Sequence, residues 1–234
     1  MKLYFDRVQI CKYEDSHAYS YQRCDESSEA VFDITIETEG QYTFSVSQKG
    51  ARMFRADAGY KYSAARLYLA KDNGDGTVTY IKGNKDYGTR DTYLECELLE
   101  AGQYFLATEV DWNEETEEQN YVATCYGASG IEFVESELPK NELVRKIALA
   151  LVEDGAEGVE SEPNAEDESI VKSTIGGTEF GYNIIVIKNG AESSGYQEDV
   201  DYPKFEGLTL MEPESGNGYS VLVPAGETKI ILIK

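Results

Sequence analysis

The sequence is poor in the residues from which catalytic and metal centres are built. Its 234 residues include one histidine, and the four cysteines form no close pair with the spacing of a zinc site. No apolar stretch is long enough to span a membrane or to serve as an N-terminal signal, and no Asn is followed two places later by Ser or Thr. We therefore expect no zinc site and predict a cytoplasmic chain, while the even cysteine count leaves disulfides open.

Basic residues are also scarce. Lys and Arg number 21 against 44 Asp and Glu, which gives a formal net charge of −23. Such a chain repels the phosphates of nucleic acids, and it repels anionic lipid unless a cation bridges the two. We therefore expect no nucleic-acid partner, a membrane only if it is calcium-bridged, and protein partners with basic surfaces.

Strand patterns dominate the first half of the chain. Apolar and polar residues alternate over 32–36 and 42–47, which is typical of strands with one buried face. The sequence Asn73-Gly74-Asp75-Gly76 lies between two further strand-like segments and predicts a hairpin. Several short strands separated by turn residues predict a mainly β chain, with an antiparallel β-sandwich over 30–136. The segment 1–29 before it is predicted as a lead-in segment or an edge strand.

The pattern changes after this sandwich. Apolar residues at three- and four-residue steps predict one amphipathic helix over about 139–153. The run 153–168 holds eight acidic residues and no basic one, with Gly and Pro, and predicts a solvated linker. We therefore predict a helix and acidic linker over 137–168, followed by a second, small β-sandwich-like module over 169–234.

Two segments of the sandwich echo each other. Glu39–Tyr42 and Ala101–Tyr104 both place glycine just before a strand that begins Gln-Tyr. Their spacing does not match a solenoid repeat, so the echo predicts two similar corners in one sandwich.

Several short segments together carry a family resemblance: Phe5–Cys11, Tyr42–Gln48, Glu100–Phe105, Tyr121–Tyr126, Tyr182-Asn183, Gly207-Leu208 and Val223–Gly226. They resemble the part of a calpain that follows its protease core, in the divergent form of protists. It implies a β-sandwich of the calpain third-domain type with a small C-terminal β extension and no protease core. It also implies a place among protease-dead relatives, which include cytoskeletal and ciliary components.

One segment resembles the surroundings of a calpain catalytic histidine. His17 is followed by Ala-Tyr-Ser, but Ser16 rather than glycine precedes it. No cysteine has the Gln-x-Cys-Trp setting of the family, and Trp112 is not preceded by Asn-Pro. Cysteine-protease chemistry needs a thiolate, an imidazole base and an orienting amide together. We therefore predict that the chain is not an enzyme and name no catalytic residue.

Two acidic segments are candidate calcium sites. In the first, an EF-hand register around Gly76 would put Lys71 and Lys82 where carboxylates are required, so a hairpin turn is favoured. The second segment follows a predicted strand and contains several carboxylates close together. These carboxylates repel one another, and a bound divalent cation would reduce that repulsion. Its candidate metal ligands are Asp111, Glu114, Glu115, Glu117 and Glu118. Trp112 would add an apolar contact for a partner or a membrane, and a solvated loop tip is the alternative interpretation.

The chain also contains 18 tyrosines. Tyrosine suits interfaces because it buries a large area and keeps a polar tip, but it is also an ordinary strand former, and both explanations stay open. The favoured hypothesis is a non-catalytic scaffold component of a larger cytoskeletal or ciliary assembly. The alternatives are a calcium-dependent membrane-binding regulatory module, with calcium as the candidate cofactor, and a residual cysteine protease.

Overall fold

The computed structural model describes residues 17–55, 59–113, 119–176, 179–192, 194–201 and 218–233. These residues are mainly β, with 55% of them in strands and 9% in helices, as the sequence predicts. The strands are β1 (Ala18–Cys24), β2 (Glu29–Ile36), β3 (Gly40–Gln48), β4 (Ala64–Asp72), β5 (Val78–Asp86), β6 (Asp91–Leu99), β7 (Gly102–Asp111), β8 (Tyr121–Gly127), β9 (Val134–Glu135), β10 (Val159–Pro163), β11 (Ile170–Ile175), β12 (Asn183–Asn189), β13 (Tyr196–Asp201), β14 (Gly218–Val223) and β15 (Thr228–Ile233). The described part also contains one α-helix, α1 (Lys140–Glu153), and a short 3-10 helix at Ala51–Met53.

The chain divides into two compact units. The first comprises Met1–Leu67 and Asn84–Glu135, and the second comprises Tyr68–Gly83 and Ser136–Lys234. The predicted hairpin is present as β4 and β5, and the division between the units falls within these two strands. The boundaries predicted from the sequence differ from those of the two units. Sequence patterns identify strands in chain order, whereas a compact unit is defined by the strands that share a core.

The first unit is an antiparallel β-sandwich. One sheet has the strand order β1-β8-β3-β6, and strands β7, β2 and β9 belong to the second sheet, whose order is β5-β4-β7-β2-β9. Alternate residues of β8 are buried, as period-two patterning requires, and β3 follows the same pattern except that Ser45 is buried as well. The Tyr121 hydroxyl of the first sheet lies 2.9 Å from the Thr108 hydroxyl of the second, within the core.

The echo between Glu39–Tyr42 and Ala101–Tyr104 corresponds to a pair of tyrosine corners. The Tyr42 hydroxyl donates to the Thr38 carbonyl oxygen at 2.7 Å. The Tyr104 hydroxyl donates to the Glu100 carbonyl oxygen at 2.9 Å. Each buried ring thus ties a strand to the backbone four residues earlier, in the manner of the tyrosine corner of immunoglobulin-like sandwiches. The prediction of two similar corners is confirmed.

The second unit contains the predicted helix. Helix α1 begins at Lys140, directly after Pro139, and its buried residues are Lys140, Leu143, Val144, Ile147 and Ala148. The three- and four-residue spacing of the apolar members places them on one face. A four-stranded antiparallel sheet, β10-β11-β12-β15, and the pair β13-β14 complete the unit. Ile170, Ile187 and Val223 form part of its core.

The acidic run predicted as a solvated linker contains a strand. Residues 159–163 form β10, which pairs with β11 from Val159↔Ile175 to Pro163↔Val171. The prediction of a linker over 153–168 is therefore wrong for this part. Its acidic residues Glu160 and Glu162 are exposed, and edge strands tolerate charge and a terminal proline. Composition alone does not distinguish such an edge strand from a linker.

Three further strand predictions have different outcomes. The later part of the segment predicted as a lead-in, 1–29, forms the complete strand β1, which pairs with β8 over seven residues. The sequence pattern of 131–134 also predicts a strand, and the structure has only the two-residue β9 there. The strand that the pattern of 208–211 predicts lies outside the described residues, as do residues 1–16.

Candidate functional site

The predicted acidic site begins where β7 ends. Asp111 is the last residue of this strand, and its carboxylate forms an ion pair with Arg66 of β4. Arg66 Nη1 lies 3.5 Å from the second Asp111 carboxylate oxygen. Asp111, whose side chain is 41% exposed, is therefore paired with a buried guanidinium, and this pairing reduces its capacity to ligate a cation. Glu114, Glu115, Glu117 and Glu118 lie outside the described residues, so the calcium-site hypothesis stays a prediction for these four.

Arg66 also contacts a second carboxylate. Its Nη1 lies 2.8 Å from Glu109 Oε2, and the side chains of both residues are less than a tenth exposed. Burial by itself would lower the pKa of Arg66, but the charges of Glu109 and Asp111 outweigh it and the pKa is raised. The guanidinium therefore stays charged, and Arg66, Glu109 and Asp111 form an ion cluster that fixes the end of β7. The sequence does not reveal this cluster, because Arg66 lies more than 40 residues before Glu109 and Asp111 in the chain.

Both ends of the acidic loop are attached to the sandwich. The Trp112 indole N–H donates to the Ser27 carbonyl oxygen at 2.8 Å. The Asn113 backbone N–H donates to Ser63 Oγ at 3.1 Å, and the Ser27 N–H donates to the Gln119 carbonyl oxygen at 3.2 Å. Trp112 is half-buried with its ring centroid 6.5 Å from that of Tyr121, so it packs within the fold. The predicted contact of Trp112 with a partner or a membrane stays a prediction.

Within the described ranges, no cluster of three or more His, Cys, Asp or Glu side chains is arranged to hold a metal ion. The other candidate calcium segment is a hairpin turn, as predicted. Gly74 and Gly76 have φ angles of +77° and +90°, which favour glycine. The Asp72 and Asp75 carboxylates accept hydrogen bonds from the Gly74 and Thr77 backbone N–H groups, both at 2.9 Å. These carboxylates thus stabilise the turn itself.

The cysteines with described positions are core residues. Cys24, Cys96 and Cys125 are buried, and none of the three is in a disulfide. Burial raises the pKa of the Cys24 thiol, and it raises that of Cys125 to about 12. At neutral pH both are protonated thiols, which are weak nucleophiles. The His17 ring stacks on Tyr126 with their centroids 5.3 Å apart.

Gln48, which ends the segment 42–48, holds a long connection in place. Its side-chain amide donates to the Ser63 carbonyl oxygen at 2.8 Å and accepts from the Ser63 N–H at 2.9 Å. The Gln48 amide thus forms the same two hydrogen bonds with the Ser63 backbone that a residue of a neighbouring strand would form. Gln48 is almost fully buried, so its role is structural.

The outward face of the β1-β8-β3-β6 sheet is unusually aromatic. The strand register forms one row of Tyr19, Tyr126, Thr43 and Glu95 and a second row of Tyr21, Thr124, Ser45 and Tyr93. We call these eight residues the tyrosine face. Tyr19, Tyr21 and Tyr93 are 59%, 68% and 51% exposed. The tyrosine content and the i, i+2 spacing of Tyr19 and Tyr21 were visible in the sequence, but only the register shows that the rings share one face.

The second unit contains a cavity of about 230 Å³ beside the hairpin turn and the end of α1. Lys146 lines it and donates a hydrogen bond to the Gly76 carbonyl oxygen. Typical small-molecule sites are about 300–1,000 Å³, so this cavity is below the usual size. Its size therefore does not support a small-molecule activity.

Comparison with known proteins identifies no relative: no protein-family model matches the chain, and no curated protein matches it. Among the described residues, no helix is both long and apolar enough to cross a membrane.

Proposed function

We propose that this protein is a non-catalytic, calpain-like scaffold of the cytoplasm. In this proposal it is an interaction component of a larger cytoskeletal or ciliary assembly, and its partners present basic surfaces. The observation that carries the proposal is the charge. The excess of 44 acidic over 21 basic residues leaves 23 negative charges that no base within the chain can neutralise.

Ion pairs within the chain that engage basic side chains support this proposal. Arg66 is buried against Glu109 and Asp111, Arg145 pairs with Glu142, and Lys172 pairs with Glu198. Basic side chains engaged in this way are unavailable to a partner, whereas acidic residues are plentiful. A strongly negative surface attracts basic proteins over long range and accelerates their association.

The state of the cysteines supports a non-catalytic role. A cysteine protease requires an accessible thiolate next to an imidazole. Cys24 and Cys125 are instead packed in the core as protonated thiols. The calpain resemblance would then reflect an inherited sandwich rather than an inherited reaction.

The test is a pull-down with the full chain at low and high salt, in which retained proteins are identified. We expect retention of proteins with surfaces rich in Lys or Arg at low salt and their release at high salt, because ions screen surface charge. Retention of mainly acidic proteins, or retention that salt does not affect, would contradict the proposal. So would casein hydrolysis that a thiol-directed inhibitor blocks and that His17→Ala abolishes.

A further inference from the structure

The tyrosine face has features of a docking surface. The outward face of an antiparallel sandwich sheet is normally polar and wet. Here Tyr19, Tyr21 and Tyr93 each expose more than half of their surface. Exposed aromatic clusters mark interaction sites, and tyrosine is enriched in them.

Hydroxyl groups lie between the rings. Thr124 and Ser45 occupy the middle of the row that Tyr21 and Tyr93 flank, and their side-chain oxygens are 2.6 Å apart. Ser45 is buried, at 6% exposure, whereas Thr124 is partly exposed. The face therefore combines exposed aromatic rings with the accessible hydroxyl of Thr124. Tyr19 and Tyr21 lie with their ring planes 28° apart and their centroids separated by 6.3 Å.

The charge of the molecule indicates what this face would bind. A net charge of −23 disfavours a second copy of the chain and disfavours nucleic acid. Glu95 adds a carboxylate to the face itself, and Arg23, at one end of β1, is paired with Asp25. A cationic ligand that also stacks on aromatic rings satisfies both observations, and guanidinium does so better than ammonium.

We propose that the tyrosine face docks an extended, arginine-rich segment of a protein partner. Guanidinium groups stack on Tyr19, Tyr21 and Tyr93, and their N–H groups donate to the partly exposed hydroxyl of Thr124. This inference rests on the proposed scaffold function, because it assigns the basic partner to one surface.

The experiment measures binding of the full chain to two fluorescent peptides by anisotropy. One peptide alternates Arg and Ser, and the other replaces every Arg with Lys. The two peptides have equal charge, so a preference for Arg reports stacking and planar hydrogen bonding rather than charge alone. We expect the Arg peptide to bind more tightly.

The double variant Tyr21→Ser/Tyr93→Ser removes two exposed rings. We expect it to weaken binding of the Arg peptide about tenfold, given the usual strength of exposed cation–π contacts. Tyr87→Ser is the matched control, since Tyr87 is 67% exposed and lies between β5 and β6, outside the tyrosine face. Tyr21→Phe/Tyr93→Phe keeps the rings and should retain the affinity.

The outcomes separate this inference from the proposed function. Equal binding of both peptides with no effect of Tyr21→Ser/Tyr93→Ser would overturn the tyrosine face as the docking site and leave the acidic scaffold standing. Failure of the wild-type chain to bind either peptide would also overturn the docking inference, and the pull-down would then decide the scaffold function. Self-association in sedimentation that Tyr21→Ser/Tyr93→Ser abolishes would assign the face to a second copy instead.

Discussion

Gly127 illustrates a constraint that acts on one residue. A Cβ atom built at this position would lie 2.0 Å from Cδ1 of Tyr42, because the tyrosine ring covers the glycine across the pair β3-β8. We expect Gly127→Ala to destabilise the chain by about 1–3 kcal/mol through overpacking, as measured by chemical denaturation.

A double-mutant cycle separates this contact from a general effect of the substitution. Tyr42→Ala removes the ring and should reduce the cost of Gly127→Ala substantially. Gly50→Ala is a control, since a Cβ at Gly50 would meet no atom within 4 Å. Equal costs of Gly127→Ala with and without the Tyr42 ring would disprove the proposed clash.

Arg66 is a second residue whose environment predicts a large loss of stability on substitution. We expect Arg66→Met to cost about 3–5 kcal/mol, because it leaves the almost fully buried Glu109 without its guanidinium partner. The double variant Arg66→Met/Glu109→Leu should recover much of this loss. Arg23→Met is the matched control: the exposed Arg23–Asp25 pair should contribute less than about 1 kcal/mol. Similar unfolding free energies for Arg66→Met and Arg23→Met would argue against the buried pair.

At the scale of elements, β10 is the strand that composition concealed. Replacing Val159–Pro163 by a Gly/Ser segment of equal length would be harmless in a linker. In a paired strand it removes the five register pairs with β11, each worth about 0.2–1 kcal/mol. We expect a loss of about 1–3 kcal/mol in thermal or chemical unfolding. Glu157→Ser, an exposed change just before the strand, is the control, and an unchanged stability of the replaced chain would favour the linker.

The acidic loop is the element on which the calcium hypothesis depends. That hypothesis predicts a rise in melting temperature with calcium, by linkage of binding to folding, and a smaller rise with magnesium at equal ionic strength. Replacing Glu114, Glu115, Glu117 and Glu118 with Gln should abolish the difference. Asp111→Asn should matter less, because Arg66 already engages this carboxylate. A calcium effect that survives the fourfold replacement would place the site elsewhere.

At the scale of the whole molecule, acid stability follows from carboxylates that stabilise turns. Hydrogen bonds from the Thr77 hydroxyl and backbone N–H lower the pKa of Asp75 below its ordinary value of 3.8. Bonds from the same groups of Ser169 lower the pKa of Asp167. A folded-state pKa below the unfolded value means that the contribution to stability is present above the unfolded pKa of about 3.9 and is lost as pH falls through the folded pKa.

We therefore expect Asp75→Asn/Asp167→Asn to reduce the dependence of stability on pH between about pH 5 and about pH 2, measured by denaturation at each pH. The amide oxygens can still accept the backbone hydrogen bonds but do not titrate. Glu157→Gln, which removes an exposed carboxylate of the same unit, provides the control for a simple change in net charge. A pH profile of the double variant identical to that of the wild type would contradict the assignment.

Local patterns in the sequence were sufficient for some features. Alternation predicted strands such as β2 and β3, and apolar spacing predicted α1. The sequence Asn-Gly-Asp-Gly predicted the turn at 73–76, where both glycines have positive φ. These features depend on residues within one turn or one strand of each other, where backbone preferences and side-chain period act directly. The excess of acidic residues, and hence the expectation of basic partners, also follows from composition alone.

Only the tertiary structure determined which distant residues meet. The ion cluster joins Arg66 to Glu109 and Asp111, β10 is a strand because β11 pairs with it, and the tyrosine face exists because β1, β8, β3 and β6 align in one register. Sequence periodicity specifies which face of a strand is buried but not which strand lies beside it. That choice depends on the packing of the whole core, and it gives this acidic chain its aromatic surface.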